Sequence, residues 1–275
     1  MNKQAQPFLK WAGGKRQLIP EIMKYIPEDY GTYYEPFIGA GAVLFQLKPA
    51  KAIINDINSE LVNTYHVIRY QMEELIEDLK RHENTADYYY SIREWDRNRE
   101  SYAQLTPVQK ASRLIYLNKT CFNGLYRVNK KGQYNVPYGK YKSPNIVNEQ
   151  VIRQVHDYLK EANVTIKNED FAQVIEGAKK GDFIYLDPPY DPVSMTASFT
   201  NYSLEGFGKK EQLRLRDLFH ELDKRGCFIL LSNSATDFIK SSYDGYKMKI
   251  VGASRNINSI GSKRGKIEEV LVMNY

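Results

Sequence analysis

The apolar run Phe183-Ile184-Tyr185-Leu186 ends abruptly at Asp187-Pro188-Pro189-Tyr190. Two consecutive prolines stop a strand, hold the backbone extended and leave the preceding carbonyls without helical partners. A carboxylate, exposed carbonyls and an aromatic ring then crowd together at the carboxyl end of that strand. Ligands sit at that end in open α/β sheets. The plainer alternative is a strand-terminating turn capped by Asp187.

The rest of the chain supplies the sheet. Runs rich in β-branched and aromatic residues at 32–37, 52–55, 164–167, 182–186, 227–232, 246–251 and 268–274 predict seven strands. Residues 59–80 and 209–224 carry helical apolar spacing between them, and Leu213, Leu218, Phe219 and Leu222 are the expected buried stripe of the second helix. Strand–helix alternation argues for an open α/β sheet with mostly parallel strands. The last two strands are separated only by the basic loop 252–266 and are expected to pair antiparallel. Residues 60–160 break the rhythm, helical and polar first, then loop-rich around Asn123-Gly124 and Lys131-Gly132. They predict an inserted, mainly helical domain, with 1–59 and 161–275 forming the domain around it.

Composition excludes several classes. The 275 residues are 42% hydrophobic and 26% charged, ordinary for a soluble globular protein. Neither a leader-like apolar region nor a run of the roughly 18 apolar residues that a membrane helix needs is present. A cytoplasmic protein without a membrane partner is expected. Cys121 and Cys227 lie far apart and the four histidines are scattered, so neither a metal site nor a disulfide framework is expected. The net charge of +6 is unevenly spread. From Lys110 to Lys142 eight basic residues occur without one Asp or Glu, interleaved with Tyr116, Phe122, Tyr126, Tyr134, Tyr138 and Tyr141. Basic side chains among stacking aromatics suit a DNA-binding surface, where phosphates supply affinity and bases supply sequence. A solvated surface segment is the alternative.

Two further motifs point to a ligand. Glu35-Pro36-Phe37-Ile38-Gly39-Ala40-Gly41 follows a strand, and its glycines permit a sharp turn close to a ligand. It is not a dinucleotide fingerprint, because the third glycine position falls on Leu44. Asp56 ends the next strand, where a parallel nucleotide-binding sheet grips ribose hydroxyls; a helix cap is the alternative, and Ser59 is an equal candidate for that. Lys10-Trp11-Ala12-Gly13-Gly14-Lys15 lacks the residues of a phosphate-binding loop, but could bring Lys15 to a carboxylate and Trp11 to a flat or sulfonium-bearing ligand. An aromatic amine delocalises its lone pair and is a poor nucleophile. Two acceptors on its hydrogens at Asp187–Tyr190 would return density to nitrogen, which fits N-methylation of a base.

Taken in order, Lys10–Lys15, Glu35–Gly41 and Asp187–Tyr190 resemble the DNA adenine N6-methyltransferases of the Dam type, the α class. The resemblance spans nearly the whole chain and includes Asn55–Asn58, Asn123–Arg127 and Asn135–Tyr141. It implies a seven-stranded Rossmann-like sheet of the S-adenosylmethionine-dependent methyltransferases, carrying an inserted helical DNA-recognition domain. It implies S-adenosyl-L-methionine held by Trp11, Lys15, Phe37, Gly39, Gly41, Asp56, Asp170, Phe171 and Asp187. Asp187 and the carbonyl of Pro188 would accept the N6 hydrogens within the Asp187-Pro188-Pro189-Tyr190 motif, and Tyr190 would stack on an adenine flipped from the duplex. The partner implied is double-stranded DNA containing GATC. Lys10, Leu125, Arg127 and Pro137 would contact bases, Phe122 would fill the gap left by the flipped base, and Asn123 would meet the orphaned thymine. Phe122 stands where the family has a tyrosine. Loop 191–207 would cover the adenine and loop 252–266 would clamp phosphates. No metal and no obligate protein partner are implied, and the source would be bacterial or phage.

Two other readings compete. The same machinery could serve N4 of cytosine or an RNA base, against which stand Asp rather than Ser before Pro188 and the recognition segment. A DNA-binding protein that has lost catalysis would show a degraded motif, and none is degraded. The residues do not distinguish a solitary enzyme from half of a restriction–modification pair.

Overall fold

The computed structural model describes residues 5–192, 207–254 and 266–275. Seven strands, β1 Tyr33–Glu35, β2 Lys51–Asn55, β3 Asn163–Lys167, β4 Phe183–Leu186, β5 Phe228–Ser234, β6 Lys247–Ser254 and β7 Lys266–Met273, form one Rossmann-like sheet. Their order is β3-β2-β1-β4-β5-β7-β6. β2, β1, β4 and β5 run parallel, and β7 runs antiparallel to both β5 and β6. All seven stand where the sequence places them, with ends displaced by at most three residues. The expected antiparallel pairing of the last two is observed.

From β1 the chain builds outward to β2 and β3, then returns to the other flank of β1 with β4. Strand order therefore reverses between β1 and β4, and the crevice beyond their carboxyl ends is the natural ligand position of such a sheet. Glu35-Pro36-Phe37 leaves β1 there, and Asp187–Tyr190 leaves β4 there.

Among the described residues the chain packs into two compact units. One holds the segment ending at Gly14 with Gly39–Ala50 and Asp56–Asn168; the other holds Lys15–Ile38, Lys51–Asn55 and Glu169–Tyr275. In the latter, every residue of β4 is buried, with Ile184 and Leu186 in the same cluster as Leu215, Phe219 and Leu222 of helix Lys209–Lys224. The buried stripe of that helix is Gln212, Leu215, Phe219 and Leu222. Leu213 and Leu218 are only partly buried, so the expected stripe is corrected by a rotation that brings Gln212 inward. A glutamine is tolerated there because its amide donates to the Pro189 carbonyl at 2.8 Å and its oxygen accepts from Asn233 at 3.0 Å.

The other unit is mainly helical. Residues 59–80 are two helices, Ser59–Tyr70 and Met72–Leu79, rather than one. Gln71 leaves the helical region at φ −136°, ψ 40°. The apolar stripe of Leu61, Tyr65 and Ile68 continues as Leu75 and Leu79 across this break, so periodicity alone does not reveal it. The cap of the first helix is neither Ser59 nor Asp56 but Asn58, whose side chain accepts from Leu61 N at 3.0 Å. Helix Pro107–Thr120 opens on a capping box of Thr106 and Gln109. No described helix is long and apolar enough to cross a membrane.

Candidate active site and nucleic-acid interface

Register decides what surrounds Asp187. Leu186 pairs with Leu231 across the parallel β4–β5 ladder, so the next residues, Asp187 and Ser232, are neighbours. Ser232 Oγ donates to Asp187 Oδ1 at 2.9 Å and lies 3.1 Å from the Tyr185 hydroxyl. Lys15 Nζ meets the same Oδ1 at 2.7 Å, with Lys15 4% and Asp187 18% exposed. Burial pushes the Asp187 carboxyl above its ordinary range, while Lys15 and Ser232 pull it back. The carboxylate that Lys15 was expected to meet is thus Asp187 itself. Lys15 Nζ also stands 4.6 Å from the centroid of the Tyr190 ring. The Tyr190 hydroxyl donates to Glu269 Oε2 at 2.5 Å, and burial holds that phenol far above its usual range, hence protonated.

Behind this cluster the turn is locked. Asp191 N–H donates to Asn233 Oδ1 at 3.0 Å, and Thr236 Oγ1 donates to Asp191 Oδ2 at 2.7 Å. With Gln212 on the Pro189 carbonyl, the backbone after β4 is fixed on both sides of Tyr190. Sequence reasoning missed Ser232, Asn233, Gln212 and Glu269. The signal was the polar triplet Ser232-Asn233-Ser234 closing an otherwise apolar strand, all three fully buried.

Phe37, Phe171 and Phe207 form a second cluster of the same unit, with ring centroids 5.3 to 5.8 Å apart. Asp170 caps helix Phe171–Val174 by accepting from Ala172 N at 3.0 Å. It is also gripped by both terminal nitrogens of Arg214, and that hydrogen bonding holds its carboxyl below the ordinary range. The Arg214 guanidinium lies 4.6 Å over the Phe171 ring.

The glycine turn, Asp56 and Trp11 come together in the helical unit. Gly39 has φ +49°, and a side chain there would meet the Trp11 ring at 2.9 Å. Gly39 N–H donates to Asp56 Oδ2 at 3.0 Å, and Asn58 N–H donates to Oδ1 at 2.9 Å. Burial nevertheless pushes the Asp56 carboxyl up to about 6 against those two bonds. Tyr65 hydroxyl donates to the Gly39 carbonyl at 2.9 Å, and Gly41 sits at φ +73° with its missing side chain facing Phe45 and Tyr65. Ile57, beside Asp56, is 68% exposed, an apolar surface that sequence reading passed over.

The basic-aromatic stretch sorts into interior and surface. Tyr116 and Tyr134 are core residues at 0% and 2% exposure, and Tyr126 stacks on Trp11 at 4.9 Å. Arg113 is buried, bonded to Asp96 at 2.8 Å and to the carbonyls of Ile92 and Arg93. These members of the stretch serve the fold, because a buried guanidinium must be paired. Phe122, by contrast, is 51% exposed, just past Cys121, the C-cap of helix Pro107–Thr120. Asn123 follows it with φ 58°, and both Asn123 and Arg127 are exposed. Asn118 ties this turn to the N-terminal motif: its Oδ1 accepts from Lys10 N at 2.9 Å, and its Nδ2 donates to the carbonyls of Lys10 and Gly124. Leu125 O accepts from the Tyr134 hydroxyl at 2.7 Å, and Pro137 O accepts from Phe122 N at 2.8 Å. The expected cover and clamp loops fall largely outside the described residues. Among the described residues no group of His, Cys, Asp and Glu could hold a metal ion.

Against known proteins, a family model described as D12 class N6 adenine-specific DNA methyltransferase matches residues 11–257. The chain is 45% identical over 272 residues to the Type II methyltransferase M1.LlaDCHI of Lactococcus lactis subsp. cremoris, covering 98% of this chain and 95% of that one. It is 42% identical over 293 residues to the Type II methyltransferase M.MjaIII of Methanocaldococcus jannaschii, covering 99% and 100%. A DNA adenine methylase of Haemophilus influenzae is 36% identical over 274 residues, covering 98% and 93%.

Proposed function

The chain belongs to the D12 class of N6 adenine-specific DNA methyltransferases, and from that premise we propose that it methylates N6 of adenine in GATC of duplex DNA, flipping the target base out of the helix. The observation that carries the reading is the Asp187 carboxylate at the sheet's switch point, ion-paired to Lys15 beside the Tyr190 ring.

Oδ1 of Asp187 is engaged by Lys15 and Ser232, so we assign Oδ2 to one N6 hydrogen and the Pro188 carbonyl to the other. The Lys15 ammonium opposes the upward pull of burial on this carboxyl and so favours its charged, accepting form. Tyr190, fixed by its bond to Glu269, offers its ring for stacking on the adenine. These residues position the amine and localise its lone pair; the gain comes from orientation rather than from a strong base.

The residues also fit S-adenosyl-L-methionine, which when bound supplies an electrophilic methyl group on sulfonium. In the helical unit we assign to the cofactor Trp11, the backbone of the Gly39 and Gly41 turn, and Asp56, whose carboxylate suits ribose hydroxyls; in the other unit we assign Phe37 and Phe171. Asp170 would contribute as part of its pair with Arg214. Residues 60–160 are assigned to DNA recognition: Phe122 to the vacated gap, Asn123 to the orphaned thymine, and Lys10, Leu125, Arg127 and Pro137 to base edges. The exposure of Phe122 supports its part.

Duplexes with and without GATC, incubated with labelled S-adenosylmethionine and digested to nucleosides, test the reading. N6-methyladenine from the GATC duplex alone is expected. Equal labelling of both duplexes refutes the specificity, and labelled cytosine refutes the target.

A further inference from the structure

Residues 127–135 form a small hairpin. Asn135 N–H donates to the Arg127 carbonyl at 3.0 Å, Val128 and Tyr134 face each other as an antiparallel bridge, and Asn129 N–H donates to Gln133 O at 2.8 Å. Asn129 closes the turn by accepting from Lys131 N and Gln133 N, and Gly132 takes φ +79°. The return arm is fixed to the interior. Tyr134 N–H donates to Asp96 at 2.7 Å, Arg97 donates to Tyr134 O at 2.8 Å, and the Tyr89 hydroxyl donates to Val136 O at 2.8 Å. Asn135 lies between these anchored neighbours, so its backbone cannot follow Arg127; the arginine follows it.

Two bonds join the side chains. Arg127 Nε donates to Asn135 Oδ1 at 2.7 Å, and Arg127 Nη2 donates to the Asn135 carbonyl at 3.2 Å. Together they occupy the side edge of the guanidinium. The end edge, made by Nη1 and the second hydrogen of Nη2, faces away from Asn135. Two parallel N–H groups on one edge match the O6 and N7 acceptors of guanine. We propose that Asn135 is a specificity-determining positioning residue, which presets Arg127 to present its end edge to a guanine. The inference rests on Arg127 as a base reader. An arginine free on its stem would visit many rotamers, whereas one bonded to an anchored strand meets the base already oriented.

The experiment compares kcat/KM on GATC and on duplexes with each base pair replaced in turn, for wild type, Arg127→Ala, Asn135→Ala and Asn135→Asp. Asn135→Ala is expected to lose about tenfold of the discrimination at the guanine that Arg127 reads, with the other positions unchanged. Asn135→Asp, which keeps an acceptor oxygen, is expected to retain the ratio while its charge raises KM on every duplex. In parallel, the Arg127 Nε–H resonance should be protected from exchange in wild type and lose protection in Asn135→Ala. A wild-type ratio in Asn135→Ala, or an equal loss on all duplexes as a phosphate contact would give, overturns the proposal. Wild-type discrimination by Arg127→Ala instead removes the base-reader role and this inference with it, so the two failures are told apart.

Discussion

Lys15→Met separates what the lysine does for the fold from what it does for chemistry. Methionine keeps most of the stem and leaves no large cavity, but removes the ammonium from 2.7 Å of Asp187 Oδ1. Two charges at that distance attract by about 6 kcal/mol at an effective dielectric of 20, and the lysine's own desolvation offsets part of this. Stranding one member of a buried pair costs about 3–5 kcal/mol. For 275 residues that corresponds to a fall in Tm of roughly 5–9 °C. The loss should depend on pH with a defined sign. Burial already holds the Asp187 carboxyl above its unfolded value, and removing Lys15 raises it further. The destabilisation is therefore present above the folded pKa and relieved as pH falls through it and the carboxylate takes a proton. Scanning calorimetry at pH 8 and pH 5 checks this, with Lys15→Met/Asp187→Asn as the third protein. The double variant should regain at least half the lost stability at pH 8, because Ser232 can still donate to an amide oxygen. A Lys15→Met protein within about 2 °C of wild type at pH 8, or a double variant no more stable than the single, would refute the reasoning.

Three further outcomes are expected. Asp56, raised to about 6, should lose its charge below that pH, so S-adenosylmethionine affinity measured by calorimetry should weaken up to about tenfold per pH unit below 6. Asp56→Asn should flatten that dependence, and a wild-type affinity constant from pH 5 to 8 would count against Asp56 as the ribose ligand. Burial lowers His82 to about 4; its side chain is 4% exposed, stacked on Tyr116 at 4.3 Å and bonded to Tyr88 and Ser112. The unfolded chain takes up that proton near pH 6.5 and the folded one does not, so up to about 3 kcal/mol of stability should vanish as pH falls from 6.5 to 4. Urea titrations should show His82→Gln less acid-sensitive than wild type; identical pH slopes would exclude His82 as the source. Phe122→Ala should lower kcat/KM on duplex GATC by about 5- to 150-fold, the worth of one stacked base, with far less effect on a target already unpaired. Equal losses on both substrates would place Phe122 outside the flipping step.

Legibility in the sequence followed the physics of each signal. Alternation and the proline pair located all seven strands and the switch-point motif, because both are local consequences of backbone chemistry. The break at Gln71 was invisible, since the apolar stripe runs through it unchanged. Counting charges could not tell Arg113, desolvated against Asp96, from Arg127 at the surface, because composition carries no depth. Ser232 and Gln212 reach the site through cross-strand register and helix rotation, both set by tertiary packing. The roles proposed for Lys10 and Asn123 rest on family resemblance alone, since neither spacing nor charge suggests them.

The anchoring of the 127–135 hairpin has an evolutionary side. Asp96, Arg97 and Tyr89 hold it through the amide and carbonyl of Tyr134 and the carbonyl of Val136, groups every residue but proline supplies in full. Such anchors are blind to side-chain identity. The outward-facing positions can drift or be swapped while the strand stays in place, so under the proposed role of Arg127 a lineage could change the DNA word without rebuilding the scaffold beneath it.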